Sequence, residues 1–265
     1  MIDIDKTLYN LDYPDNDKLK EYMEKRYSSD FHANILGRLS NRNDDCLRNK
    51  IADIYRINDE ILEKIFHDHS VNTPDHIEYV YFKVKLLNDF YSTGINDIYT
   101  ITEGITKIKN LDTLLAQGDI GAVSSIREMA KEKIGRDIYS FATKYCYFSN
   151  PEKFSISDKY VAYLLRDYMK KHKEDFCELF SDHNEKAKAL VIDVNKLTSG
   201  QLLNAMRDDY EFFMNVINLF ISKCKNCSQN QRKDIDNYLW LAGMMKYRKG
   251  SKVAEDYLTD KSSKK

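Results

Sequence analysis

Apolar positions recur along this chain at helical spacing almost from end to end. The segment 74–91 shows it best. Ile77, Val80, Tyr81, Val84, Leu87 and Tyr91 share one face, Pro74 suits a first helical turn, and Thr73 stands where a cap belongs. The same period predicts helices over 44–68 with a break near Asn58, and over 96–108, 119–133, 137–147, 158–181, 185–193, 199–223 and 230–248. No stretch alternates apolar and polar residues between hairpin turns, so no substantial sheet is expected. Only 3 prolines and 9 glycines interrupt 265 residues, which leaves little room for tight turns. No repeat at solenoid spacing is present. The pattern therefore predicts an all-α protein. Its one suggested boundary is the loop from Ser70 to Thr73, giving an N-terminal helical lobe over 1–72, a helical core over 73–250 and a basic, fraying tail over 251–265.

Composition narrows the class further. An apolar fraction of 42% with 31% charged residues is that of a water-soluble globular chain. No apolar run is long enough to span a bilayer, so no membrane partner is expected. The acidic opening MIDIDKTLYNLDYPD lacks the apolar stretch of a secretion signal. Five scattered cysteines do not form a disulfide framework. A monomer in a reducing cytoplasm is the expectation. The net charge of -1 argues against a non-specific DNA coat protein. The charge is uneven, however: from Lys223 onward eleven lysines and arginines face five acidic residues. Such an end is either a solvated tail or a flank for phosphates. Cys224 and Cys227 make a lone C-x-x-C without a second pair, and His67 and His69 stand two apart near a helix end. No metal or other cofactor is expected from them. The absence of a glycine-rich phosphate loop argues against a nucleotide-driven machine.

Candidate chemistry concentrates in IGRDIYSFATKYCYFSNPEKFSISDKYV, from Ile134 to Val161. Asn150-Pro151 ends one helix, since proline removes a donor and biases the residue before it away from the α region. Ser155 to Asp158 offers capping residues for the next helix, and a carboxylate at that terminus is favoured by the helix dipole. Lys144 lies among Phe141, Tyr145, Tyr147 and Phe148. Desolvation by such neighbours favours the neutral, nucleophilic amine. A nucleophilic amine and an ionised carboxylate are what N-glycosidic cleavage with covalent capture needs. An ordinary surface lysine followed by an ordinary capping aspartate gives the same spacing.

The segment SFATKYCYFSNPEKFSISDKYV resembles the core of the 8-oxoguanine-glycosylase-like members of the helix-hairpin-helix DNA glycosylase superfamily. LNDFYSTGI, from Leu87 to Ile95, and DNYLWLAG, from Asp236 to Gly243, are similar to two further blocks of that family, in the same order. The resemblance implies a two-lobed helical fold with the active cleft between lobes, and DNA as partner. It also implies Lys144 as the Schiff-base nucleophile and Asp158 as the catalytic carboxylate. Excision of a damaged or modified base, with strand scission by β-elimination, follows from those roles. The late helix implies a base pocket at Asp236 and Trp240, which share a face with Gly243. Asn88, Tyr91 and Ser92 are a second candidate wall, and Lys159 and Arg136 are candidates for the DNA backbone. The chain departs from the family pattern at Ser155, Ser157 and Lys159, where proline, tyrosine and serine are typical, and only Gly135 remains of the hairpin glycines. Those changes leave the substrate open between an oxidised purine and a bulky modified base such as those of phage DNA, with an antiviral role. The alternative is a non-catalytic helical interaction protein.

Overall fold

The computed structural model describes residues 11–26, 45–176, 199–224 and 232–247. They contain no β-strand and form helices α1 (Asn16–Arg26), α2 (Asp45–Asp68), α3 (Ile77–Tyr91), α4 (Ile98–Thr106), α5 (Leu111–Gln117), α6 (Gly121–Ile134), α7 (Tyr139–Ser149), α8 (Lys159–Lys171), α9 (Ser199–Asp208), α10 (Tyr210–Lys223) and α11 (Arg232–Tyr247). The all-α expectation holds for them. The helix expected over 185–193, Cys227 and the tail over 251–265 lie outside the described residues.

Several boundaries differ, each for a physical reason. α2 runs unbroken through Asn58, whose weak helix propensity is outweighed by burial of Leu62 and Phe66 further along the same helix. Thr73 makes no side-chain cap; its hydroxyl instead meets His76 Nδ1 at 3.0 Å, and Pro74–His76 form a 3-10 turn ahead of α3. The helix expected over 158–181 stops at Lys171, where the His172 ring binds the Leu11 carbonyl at 2.7 Å. The one expected over 199–223 breaks at Asp209, which leaves helical geometry and caps α10 by accepting from the Phe212 amide at 3.1 Å. The helices α1 and α5 were not expected from periodicity. α5 is only seven residues long and is bracketed by left-handed Asn110 and Gly118.

The chain divides into two compact units at Ile54/Tyr55 and at Ser157/Asp158, rather than at the loop from Ser70 to Thr73. In the unit Tyr55–Ser157, α3 packs on α4 and α7, and α6 packs on α4 and α7. Val80, Val84, Leu87, Ile101, Ile126 and Phe141 are buried there. Each such side chain stabilises the fold by about 1.5–3 kcal/mol. α6 and α7 form a helical hairpin whose turn begins at Gly135, in the left-handed conformation that a C-terminal cap requires (φ 65°). The buried arc of α3 is rotated from the expected one: Tyr81 is exposed, and Lys83 takes a place on the inside. In the other unit, α8 packs on α9 and α11, α11 on α1, and α9 on α10. Its core joins Leu165, Phe213, Phe220 and Leu239 to a buried Tyr168–Tyr238 hydroxyl pair at 3.0 Å. No helix among the described residues is long and apolar enough to cross a membrane.

Candidate active site

Lys144 sits in the middle of α7, within a run of eight consecutive buried residues from Phe141 to Phe148. Its side chain is 5% exposed and reaches back one turn, as helical geometry directs. There Nζ donates to Ser140 Oγ at 2.6 Å and to the Ser140 carbonyl at 3.3 Å. Ser140 is itself exposed, so the amine lies one hydroxyl away from solvent. The Tyr91 ring faces Nζ at 5.6 Å, and the Tyr91 hydroxyl donates to Asp59 Oδ1 at 3.0 Å. Asp59, on α2, had no sequence signal. The neighbouring Thr143 hydroxyl donates to the Ser140 carbonyl and accepts from the Ser157 amide, both at 3.2 Å. The backbone is thus fixed on α7 at Ser157.

Of the other candidates in this unit, only Tyr91 comes to Lys144. Asn88 is occupied at both ends of its amide by the loop after α3. Its Oδ1 accepts from Thr93 Oγ1 (2.9 Å) and the Ile95 amide (2.8 Å), and its Nδ2 donates to the Ile95 carbonyl (3.1 Å). Asn88 shapes a loop rather than offering a free edge to a base. Ser92 is exposed in a left-handed conformation at the end of α3. Arg136 is exposed and donates to the Gly94 carbonyl at 2.6 Å, so it ties the same loop to the hairpin turn.

A polar network lies behind the candidate site. Lys83 is fully buried, and its Nζ donates to Asn72 Oδ1 at 2.9 Å. Tyr145, adjacent to Lys144, donates to the same oxygen at 2.5 Å, and Asn72 Nδ2 donates to Asp112 Oδ1 at 2.7 Å. Burial pushes the Lys83 ammonium down to about 8, against the opposing pull of Asp112. Its neutral form is favoured by folding, so the unfolded chain binds more protons between pH 8 and the ordinary lysine value of 10.5. Stability is therefore expected to rise with pH across that window, while the penalty is fully present below it. Lys83→Met should remove this slope and raise the free energy of chemical unfolding at neutral pH by up to about 3 kcal/mol. A Met variant that keeps the slope would assign it to other groups.

In the other unit Asp158 is the N-cap of α8, extended in backbone (φ −125°, ψ 154°), with its carboxylate accepting from the Tyr160 amide at 2.8 Å. Lys159 is exposed, its ammonium 4.8 Å from the Tyr160 ring. On α11, Asp236 is buried and Trp240 half-buried, and Gly243 completes their face. A Cβ at Gly243 would lie 2.4 Å from the Tyr160 carbonyl oxygen. The glycine therefore lets α11 cross the first turn of α8, two residues from Asp158. Gly243→Val should destabilise this unit by at least about 3 kcal/mol through backbone displacement, since helix propensity alone favours the change. A thermal melt within two degrees or so of wild type would contradict that close approach. Cys224 is a buried thiol bonded to the Phe220 carbonyl at 3.3 Å. Among the described residues no three His, Cys, Asp or Glu side chains converge as a metal site would need.

The fold and these side chains define a helical protein with a buried, solvent-adjacent lysine. By sequence the chain belongs to the family HI_0787_N, described as an N-terminal domain, which it matches over residues 16–153. That match includes Lys144, Tyr91 and the Asn72–Lys83 network, and stops short of Asp158. A protein of Haemophilus influenzae described as uncharacterized is 40% identical over 89 residues, which is 34% of this chain and 44% of the relative. The chain thus aligns with less than half of that relative's length. No solved structure matches.

Proposed function

We propose that this protein is a DNA N-glycosylase that uses Lys144 as its nucleophile and cleaves the strand at the resulting abasic site. The observation that carries the reading is the state of Lys144: a lysine all but buried, its nitrogen 5.6 Å from the Tyr91 ring and 2.6 Å from an exposed serine hydroxyl. A lysine that serves only solubility or surface pairing has no reason to be there, whereas a nucleophilic amine needs partial desolvation and an open approach. The hairpin of α6 and α7 that presents it agrees with a helix-hairpin-helix glycosylase, the fold this reading carries with it. The base leaves with the electron pair of the glycosidic bond while the Lys144 amine bonds to C1′ and gives up a proton. The carboxylate of Asp158 stabilises the positive charge that develops on the sugar. The sugar ring then opens: the C1′–O4′ bond breaks, O4′ takes a proton, and the nitrogen lone pair forms the C1′=N bond of the Schiff base. That Schiff base acidifies the sugar C2′, and β-elimination breaks the bond to the 3′ phosphate. A modified or oxidised base is the substrate class, read in a flipped-out state.

The direct test needs no knowledge of that base. Borohydride reduces a Schiff base to a stable amine, so the protein incubated with an abasic-site duplex and borohydride should migrate as a covalent adduct in denaturing gels. The adducted peptide should contain Lys144. An adduct on another lysine, or none with the folded protein, overturns the assignment.

A further inference from the structure

A row of cations runs along α8 opposite its core-facing side, with Lys159 exposed and Arg166 and Lys170 half-buried. Lys159, Tyr163, Arg166 and Lys170 follow i, i+4, i+7 and i+11 spacing, which places them within about 60° of helix circumference. The opposite side, with Val161, Leu164, Leu165 and Tyr168, is core. We propose that this stripe is the track that holds the phosphodiester backbone of DNA. A polyanion as occupant follows from α8 itself; that it is DNA rests on the glycosylase reading.

No acidic residue falls in the stripe. The one acidic side chain within α8, Asp167, points to its edge and is neutralised there. Arg166 donates to its Oδ1 from Nε at 3.0 Å and from a terminal nitrogen at 2.8 Å, and Lys246 donates to Oδ2 at 2.9 Å. The Tyr247 hydroxyl also donates to Oδ2. Two cations on one carboxylate leave a net positive charge. The Arg166 guanidinium is held 5.5 Å from the Tyr163 ring and 5.6 Å from that of Tyr247, so its position is set before any ligand arrives. From Lys159 to Lys170 the helix rises about 16 Å, and one DNA strand passes a phosphate about every 3.4 Å along the duplex axis. Three cations over that length match a run of phosphates. The stripe offers no exposed aliphatic anchor of the kind that seats a protein partner or enters a bilayer.

The test is the salt dependence of binding to unmodified duplex DNA, read by fluorescence anisotropy on the full chain. The double variant Lys159→Gln/Lys170→Gln keeps polar side chains at both positions, and its thermal melt, recorded beside wild type, separates any loss of stability from loss of binding. Its affinity should fall at least about tenfold, and the slope of log affinity against log salt should shrink by about two. Lys20→Gln, an exposed lysine on α1, should change neither by more than the general charge effect. A double variant with wild-type slope, or an equal loss in Lys20→Gln, overturns the stripe. Failure of the two readings is separable. A chain that forms the borohydride adduct while the double variant keeps its slope loses only the stripe. Stripe-dependent binding without an adduct leaves the stripe standing and removes the lysine chemistry.

Discussion

Lys144→Gln is expected to abolish the borohydride adduct on abasic DNA while leaving the protein folded. Glutamine keeps a polar side chain at this position, so the charge-assisted hydrogen bonds to Ser140 and the contact with the Tyr91 ring are weakened, offset by the easier burial of a neutral group. The unfolding free energy should change by no more than about 1.5 kcal/mol. The loss of chemistry, by contrast, should be complete, because no neutral amide forms a Schiff base. Two companion variants separate nucleophile from scaffold. Ser140→Ala removes the hydroxyl that holds the amine but not the amine, so trapping should slow without vanishing. Tyr91→Phe keeps the ring opposite Nζ and deletes the bond to Asp59, so it should alter stability more than trapping. Full trapping by Lys144→Gln would move the nucleophile elsewhere, whatever the stability data say.

What the sequence made legible follows from how far apart the interacting residues lie. Helical period placed α3, α4, α6 and α7 to within a few residues, and the start of α8 but not its end, because each buries apolar side chains at helical spacing against a neighbour. The cap at Asp158 was legible because an aspartate ahead of an amphipathic run is a local signal. Lys83 was not. A lysine on the inner arc of α3 makes sense only once Lys83 and Tyr145 are seen to donate to one oxygen, Asn72 Oδ1, and Asn72 and Tyr145 are 73 residues apart in the chain. The loop-closing role of Asn88 was illegible for the opposite reason: its partners are near in sequence, at Thr93 and Ile95, but a side chain closing a loop leaves no periodic trace. Gly243 did leave a signal. A glycine inside an apolar helix costs roughly 1 kcal/mol relative to alanine, and such a cost points to a close helix crossing, here with Tyr160.

Asp158→Asn is expected to slow base excision by about 10²–10³-fold, the usual penalty for removing one preorganised electrostatic partner of a charged transition state. Its cost to folding should be small, for a definite reason. The native carboxylate spends one oxygen on the Tyr160 amide, and an asparagine carbonyl oxygen accepts that same hydrogen bond. Asn and Asp cap helices about equally well, while Ala in the same place costs about 1 kcal/mol. Asp158→Ser gives a second cap-competent residue without a carboxylate, so Asn and Ser should resemble each other in both stability and excision if charge is what matters. Asp158→Ala should add a measurable loss of thermal stability to the same loss of rate. The adduct with a preformed abasic site should survive in the Asn variant, since that sugar has already lost its base and no glycosidic bond remains to break. Separation of the two steps is therefore the signature of the carboxylate: excision of a base falls steeply and trapping at an abasic site persists. If all three variants excise normally, Asp158 is a helix cap and nothing more. If excision falls only in Asp158→Ala, in step with melting temperature, the same conclusion holds and the charge on the sugar must be met by another group.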